Sequence, residues 1–152
     1  MGFDMKPNEI RIIIDQELID EYADLYFKVH RRAKKKPIPY PYHPSLNSWT
    51  HLSNEAMNAE KQKWNIFIDW VLDKYELKNR MIQKCIIEYI TFFKTNTRHD
   101  SDNTCPKFIN DALVNSGFIV DDDYKHLKRC ELECNVDKLH PRTEIIVHIL
   151  EE

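Results

Sequence analysis

No stretch of this chain holds the roughly eighteen consecutive apolar residues that a membrane-spanning helix needs, so no such helix is expected. The opening Met1-Gly2-Phe3-Asp4-Met5-Lys6 lacks the apolar segment of a secretory signal, and an intracellular, cytoplasmic protein is the expectation. Positive charge in excess is missing too: 22 Lys and Arg stand against 25 Asp and Glu, for a formal net charge of -3. That argues against a chain-wide electrostatic footprint for nucleic acid and leaves only a local one. There is no internal repeat and no low-complexity tract, which sets aside repeat architectures and disordered tails. Cysteine is modest, at positions 85, 105, 130 and 134, and without a secretion signal reduced thiols are expected. A zinc set of His126, Cys130, Cys134 and His140 lacks the usual closely spaced ligand pairs. Its segment also reads as a strand, in which positions four apart lie roughly 13 Å apart. What is present is an ordinary balance, 42% hydrophobic and 31% charged over 152 residues. That suffices for one domain whose core folds without metal or disulfide staples.

Local patterns place the elements. Residues 9–15, Glu-Ile-Arg-Ile-Ile-Ile-Asp, read as a first strand. Leu18, Tyr22, Leu25 and Val29 recur at helical spacing, acidic before them and basic after, which suits a helix dipole. Residues 16–36 are thus a helical addition ending in a basic cluster, Arg31, Arg32, Lys34, Lys35 and Lys36. Two readings of the cluster stand: a solvated helix end, or contact with DNA phosphates, which needs charge but no base readout. Pro37, Pro39, Pro41 and Pro44 make the next stretch extended. Tyr40, Tyr42 and Trp49 either stack on unpaired bases or, the favoured reading, pack over the core edge. A helix is expected at about 55–77, capped by Ser53 or Asn54, with Trp64, Phe67, Ile68, Val71 and Tyr75 on one face. A buried strand follows at 80–94, and 124–136 and 143–150 read as two strands joined across a turn at 138–142. The expected fold is a single small α/β (α+β) domain, a mixed sheet of four or five strands with two or three helices.

The chemistry gathers around His99-Asp100-Ser101-Asp102-Asn103. At the end of a strand, Asp100 and Asp102 would project from the same face, because successive side chains alternate. Two close carboxylates repel unless a cation sits between them, and oxygen donors suit magnesium first and manganese second. The plainer reading is a solvated acidic turn that caps the next helix. Pro106 fits a first helical position and Gly117 the left-handed residue past the helix end. The short helix between them returns Asp121, Asp122 and Asp123 beside the strand. In that triple, Asp123 is either a spare ligand or a turn residue. Arg98 and His99 flank the site, as phosphate contacts or as bystanders.

Asp100-Ser101-Asp102-Asn103, Lys107, Asp111-Ala112-Leu113 and Gly117-Phe118-Ile119-Val120-Asp121-Asp122 together resemble the signature of the RusA-type Holliday junction resolvases of phages and prophages. Pro44-Ser45-Leu46-Asn47-Ser48-Trp49 is a weaker echo that looks like the Pro-x-Ser-x-Asn turn these proteins carry before their long helix, with the proline here directly beside the serine. One departure is that Thr104-Cys105-Pro106 puts three residues between Asn and Lys where the family usually has two. The resemblance implies that Asp100, Asp102 and Asp122 bind magnesium and that Lys107 is the catalytic cation. It further implies a homodimeric endodeoxyribonuclease of DNA recombination and repair in a bacterial or phage-infected cell, cutting opposed strands of a four-way junction. The residue types agree with those roles, since magnesium activates water for attack on phosphorus and a lysine offsets developing charge. Two symmetric cuts also call for two sites related by a two-fold axis. Other readings stay open: a catalytically inactive DNA-binding phage protein of the same fold, a nuclease for other branched DNA, or an Asp cluster that only stiffens a turn.

Overall fold

The computed structural model describes residues 2–43, 45–100 and 103–152; the expected ligand Asp102 lies outside them, with Met1, Pro44 and Ser101. Phe3–Lys6 (β1) and Glu9–Asp15 (β2) pair antiparallel, Phe3 opposite Ile12 and Lys6 opposite Glu9. In β2 the isoleucines Ile10, Ile12 and Ile14 are buried and the residues between them are half-exposed, the period-two pattern of a strand with one face in the core. β1 is not foreshadowed in the sequence: only Phe3 of its four residues packs on the core, stacked 5.1 Å from the Tyr75 ring.

Asp15 ends β2 and caps Gln16–Val29 (α1), its carboxylate accepting the Leu18 N–H at 3.0 Å. Leu18, Ile19, Tyr22 and Ala23 are buried, with Tyr22 set 5.0 Å from Phe67 and 5.2 Å from Trp70. This helix therefore belongs to the core. It also stops at Val29, so the basic run at 31–36 is loop. Ser45 caps the single turn Leu46–Thr50 (α2), and Ser53 caps Asn54–Lys74 (α3). Trp64, Phe67, Ile68, Val71 and Leu72 form the buried stripe of α3. Its end falls short of 77 because Glu76 turns left-handed (φ 57°) and the Leu77 N–H closes on the Leu72 carbonyl at 2.8 Å.

Lys84–Phe93 (β3) buries Cys85, Ile87, Tyr89 and Thr91. Lys107–Asn115 (α4) buries Phe108, Ile109, Ala112 and Leu113, and Pro106 sits at its cap, one place earlier than expected. Gly117 has φ +74°, and a Cβ there would meet Asn79 Oδ1 at 2.6 Å and Asn79 Cα at 3.2 Å. Gly117→Ala should therefore cost about 1–2 kcal/mol in backbone strain, plus whatever the Asn79 shift requires. Thermal unfolding should register this as a melting point several degrees lower, and an unchanged one would contradict the tight turn.

Leu127–Val136 (β4) runs parallel to β3, Tyr89 opposite Leu132 and Thr91 opposite Cys134. Arg142–Glu151 (β5) lies antiparallel between β2 and β3, giving a five-stranded sheet in the order β1-β2-β5-β3-β4. β4 and β5 are thus not a hairpin, as their short link suggested. Residues 137–141 step across the end of β3, where the Asp137 N–H bonds the Phe93 carbonyl at 2.9 Å. Burial explains the order. Thr143 through Val147 are buried without a break, as in a strand covered on both faces, whereas most of β4 is exposed, as at an edge. The architecture is a single small α+β domain, a mixed sheet with four helices among the described residues. None of these helices is long and apolar enough to cross a membrane.

Candidate functional site

Strand β3, between β5 and the edge strand β4, ends at Phe93, so Asp100 stands in a loop rather than at a strand end. Strand alternation therefore does not set where its carboxylate points, contrary to the expectation for Asp100. The loop is held in other ways. His99 lies flat on Phe93, ring centroids 3.6 Å apart and 4° from parallel, with Nε2 3.1 Å from Thr97 Oγ1. Asp100 Oδ1 accepts from Arg98 Nε at 3.3 Å, both side chains exposed. Its carbonyl accepts the Asn103 N–H at 3.0 Å. Asn103 Oδ1 in turn accepts the Asn47 N–H at 3.1 Å, and Ser45 and Thr104 form an antiparallel bridge. The Asp100 loop and the turn at the start of α2, far apart in sequence, are thus tied together.

A second acidic group forms where α4 meets α3. Lys107 Nζ stands 3.5 Å from Asp111 Oδ2 one helical turn on, and Lys61 Nζ approaches the same oxygen to 3.4 Å. That oxygen is buried and takes no hydrogen bond. Across from it, the Asp triple divides its work. Asp121 Oδ1 accepts the Asp122 N–H at 2.8 Å, and Asp123 Oδ1 accepts the N–H groups of Lys125 and His126 at 3.1 and 3.2 Å. Asp123 thus serves the turn through its Oδ1, while the Asp122 carboxyl interacts with its own N–H and with the Asp121 side chain. Asp122 is exposed, yet partial desolvation, and after it the negative charge of Asp111 and Asp121, raises its carboxyl from the ordinary value.

The charge of Asp122 is felt at Tyr89 and that of Asp100 at Cys134, the partner of Thr91. Tyr89 and Thr91 are two residues apart on one face of β3, with Leu132 and Cys134 opposite them on β4. The Tyr89 hydroxyl donates to Asn110 Oδ1 of α4, which fixes α4 over the same face. Oxygen donors of this kind suit a hard divalent cation in type. Among the described residues no group of three or more His, Cys, Asp or Glu is close enough to hold a metal ion. Magnesium, however, is commonly held by one or two carboxylates, with phosphate and water filling the rest.

Other expected site residues are placed as follows. Arg31, Arg32, Lys34 and Lys35 are exposed and make no ion pair among the described residues, whereas Lys36 is bound to Asp20 Oδ1 at 2.8 Å. Lys36 is thereby the least available of the expected DNA contacts. Trp49 packs edge-on against Phe108 and Tyr42 lies against Phe93, as core-edge residues do, while Tyr40 stands out in solvent. The zinc set is dispersed: His126 Nδ1 bonds the Gln83 carbonyl, Cys130 faces Asn110, and His140 Nε2 pairs with Asp15. Lys61 escaped the sequence reading because it lies off the apolar stripe of α3 among other charged residues, with no local feature to mark it.

Beside Asp100 opens a cavity of about 720 Å³ whose walls among the described residues come from the 39–43 stretch, α2, α3, Arg98–Asp100, Asn103 and Thr104. Compared with known proteins, the chain matches no family model and no curated sequence.

Proposed function

We propose that this chain is a magnesium-dependent endonuclease of the RusA-type resolvase kind, which cuts four-way DNA junctions as a homodimer by hydrolysis of opposed phosphodiesters. The observation that supports the reading is Lys107 and Lys61 converging on the buried Asp111 Oδ2, with the negative charge of Asp111 felt at the Asp122 carboxyl. A magnesium ion bound there supplies Lewis-acid stabilisation of the phosphoryl oxygen and an activated water. Asp100 and Asp122 offer it oxygens, and Asp102 belongs to the same set by its place in the motif. Asp111 holds Lys107 and Lys61 forward, so that their charge meets a phosphate with little reorganisation. Arg98 lies at the exposed edge, within reach of the adjoining backbone.

Metal binding tests this directly, apart from catalysis. Magnesium or manganese should raise the melting temperature of the wild-type chain, since a ligand that binds only the folded state stabilises it. Asp122→Asn should remove most of that rise; an equal rise in the variant would take Asp122 out of the site. In EDTA the sign reverses. A carboxyl whose folded pKa is raised binds more protons folded than unfolded, so stability falls as pH climbs through that window. Metal-free Asp122→Asn should therefore melt higher than wild type near neutral pH, and the gain should vanish below the ordinary carboxylate range.

A further inference from the structure

We infer that the cavity beside Asp100 receives an unstacked nucleobase of the branched DNA, laid against Tyr40. This rests on the branched-DNA reading and adds to it where one nucleotide next to the branch goes. The space, about 720 Å³, is within the range of small-molecule sites and exceeds what one nucleotide needs. Its surfaces are of the kind a base requires. Tyr40 is 66% exposed at the cavity wall, and no other ring packs on it among the described residues. Further in, the flat Phe93–His99 pair and Trp64 close the apolar side. The amides of Asn47 and Asn103 supply polar edges. Arg98, 88% exposed on the same loop as Asp100, provides a cation for the phosphate that the base carries.

The frame is built before any ligand arrives. Thr143 Oγ1 donates to the Pro41 carbonyl at 2.6 Å, Tyr42 lies 4.9 Å from Phe93, and the Tyr42 hydroxyl accepts the Lys94 N–H at 3.2 Å. These contacts fix the 41–43 stretch on the sheet while the neighbouring Tyr40 remains uncovered. Every base presents a π-face, so an exposed tyrosine captures bases without regard to sequence. A branch point is also where unstacking a base costs least. The cavity adjoins Asp100, so a base seated there belongs to a nucleotide close to the phosphate that the site would cut.

The test measures binding in EDTA, where nothing is cut, with two probes. One is a short oligothymidine single strand; the other is a synthetic four-way junction in which a single abasic nucleotide is moved through the positions flanking the branch. Tyr40 is exposed, so Tyr40→Ala leaves the fold intact, and Tyr40→Phe keeps the stacking face. Tyr40→Ala should weaken oligothymidine binding roughly five- to a hundredfold, the range for losing one stacked base, and Tyr40→Phe should retain it. At one position by the branch, the abasic change should weaken wild-type binding by a similar factor and add nothing in Tyr40→Ala. Equal oligothymidine binding by wild type and Tyr40→Ala overturns the pocket, as do additive effects at every junction position. If oligothymidine binding depends on Tyr40 but no junction is bound or cut, the pocket stands and the resolvase reading falls. A junction cut normally with Tyr40 irrelevant means the reverse.

Discussion

Asp122→Asn is expected to lower junction cleavage by roughly a hundred- to a thousandfold, the scale for losing one preorganised electrostatic group, while junction binding in EDTA holds or tightens. The split follows from charge. The Asp122 carboxylate sits against Asp111 and Asp121, so at neutral pH it adds negative potential where a phosphate must approach. Asparagine relieves that repulsion yet gives up a charged metal ligand, so affinity for DNA and catalysis move in opposite directions. Asp102→Asn should behave likewise by its place in the motif. Asp123→Asn should not, because Asp123 serves the turn at Lys125 and His126. Cleavage rates and gel-shift affinities for the three variants check this together. Normal cutting by Asp122→Asn, or a loss confined to Asp123→Asn, would contradict the assignment.

The second large effect concerns the loop after α1. Replacing Arg31, Arg32, Lys34 and Lys35 together with glutamine should reduce the slope of log affinity against log salt by about 3 and weaken junction binding about a hundredfold at low salt. All four are exposed without partners among the described residues, so their charge is available. Lys36 is left in place because its ammonium is already held by Asp20. The loop also leads directly to Tyr40: the four residue-to-residue steps from Lys36 to Tyr40 span at most about 14 Å. Strands entering the site would thus pass the basic loop. An unchanged salt slope, measured by fluorescence anisotropy over a range of sodium chloride, would return the cluster to an ordinary solvated loop.

Much of this was legible in the chain itself, where local pattern decides structure. Isoleucine alternation located β2, the Trp64-to-Val71 stripe located α3, and Gly117 marked the end of α4 through its left-handed backbone. Pairing between distant strands was not legible. The 137–141 link is short enough for a hairpin, and only the unbroken burial of Thr143 to Val147 places β5 in the middle of the sheet. The candidate site divides the same way. Sequence motifs picked out Asp100, Lys107 and Asp122 by type and order. The Asn103–Asn47 tie, Lys61 on Asp111 and the cavity at Tyr40 arise from elements far apart in sequence, which no local spacing encodes.

The most direct test of the account is cleavage of a synthetic four-way junction by the wild-type chain, with magnesium and with EDTA, beside a linear duplex of matching sequence. The account predicts paired nicks on opposed strands of the junction in magnesium alone, with the duplex uncut. Tight junction binding without cuts would contradict catalysis and leave a DNA-binding protein, and neither binding nor cutting would contradict the nucleic-acid reading itself.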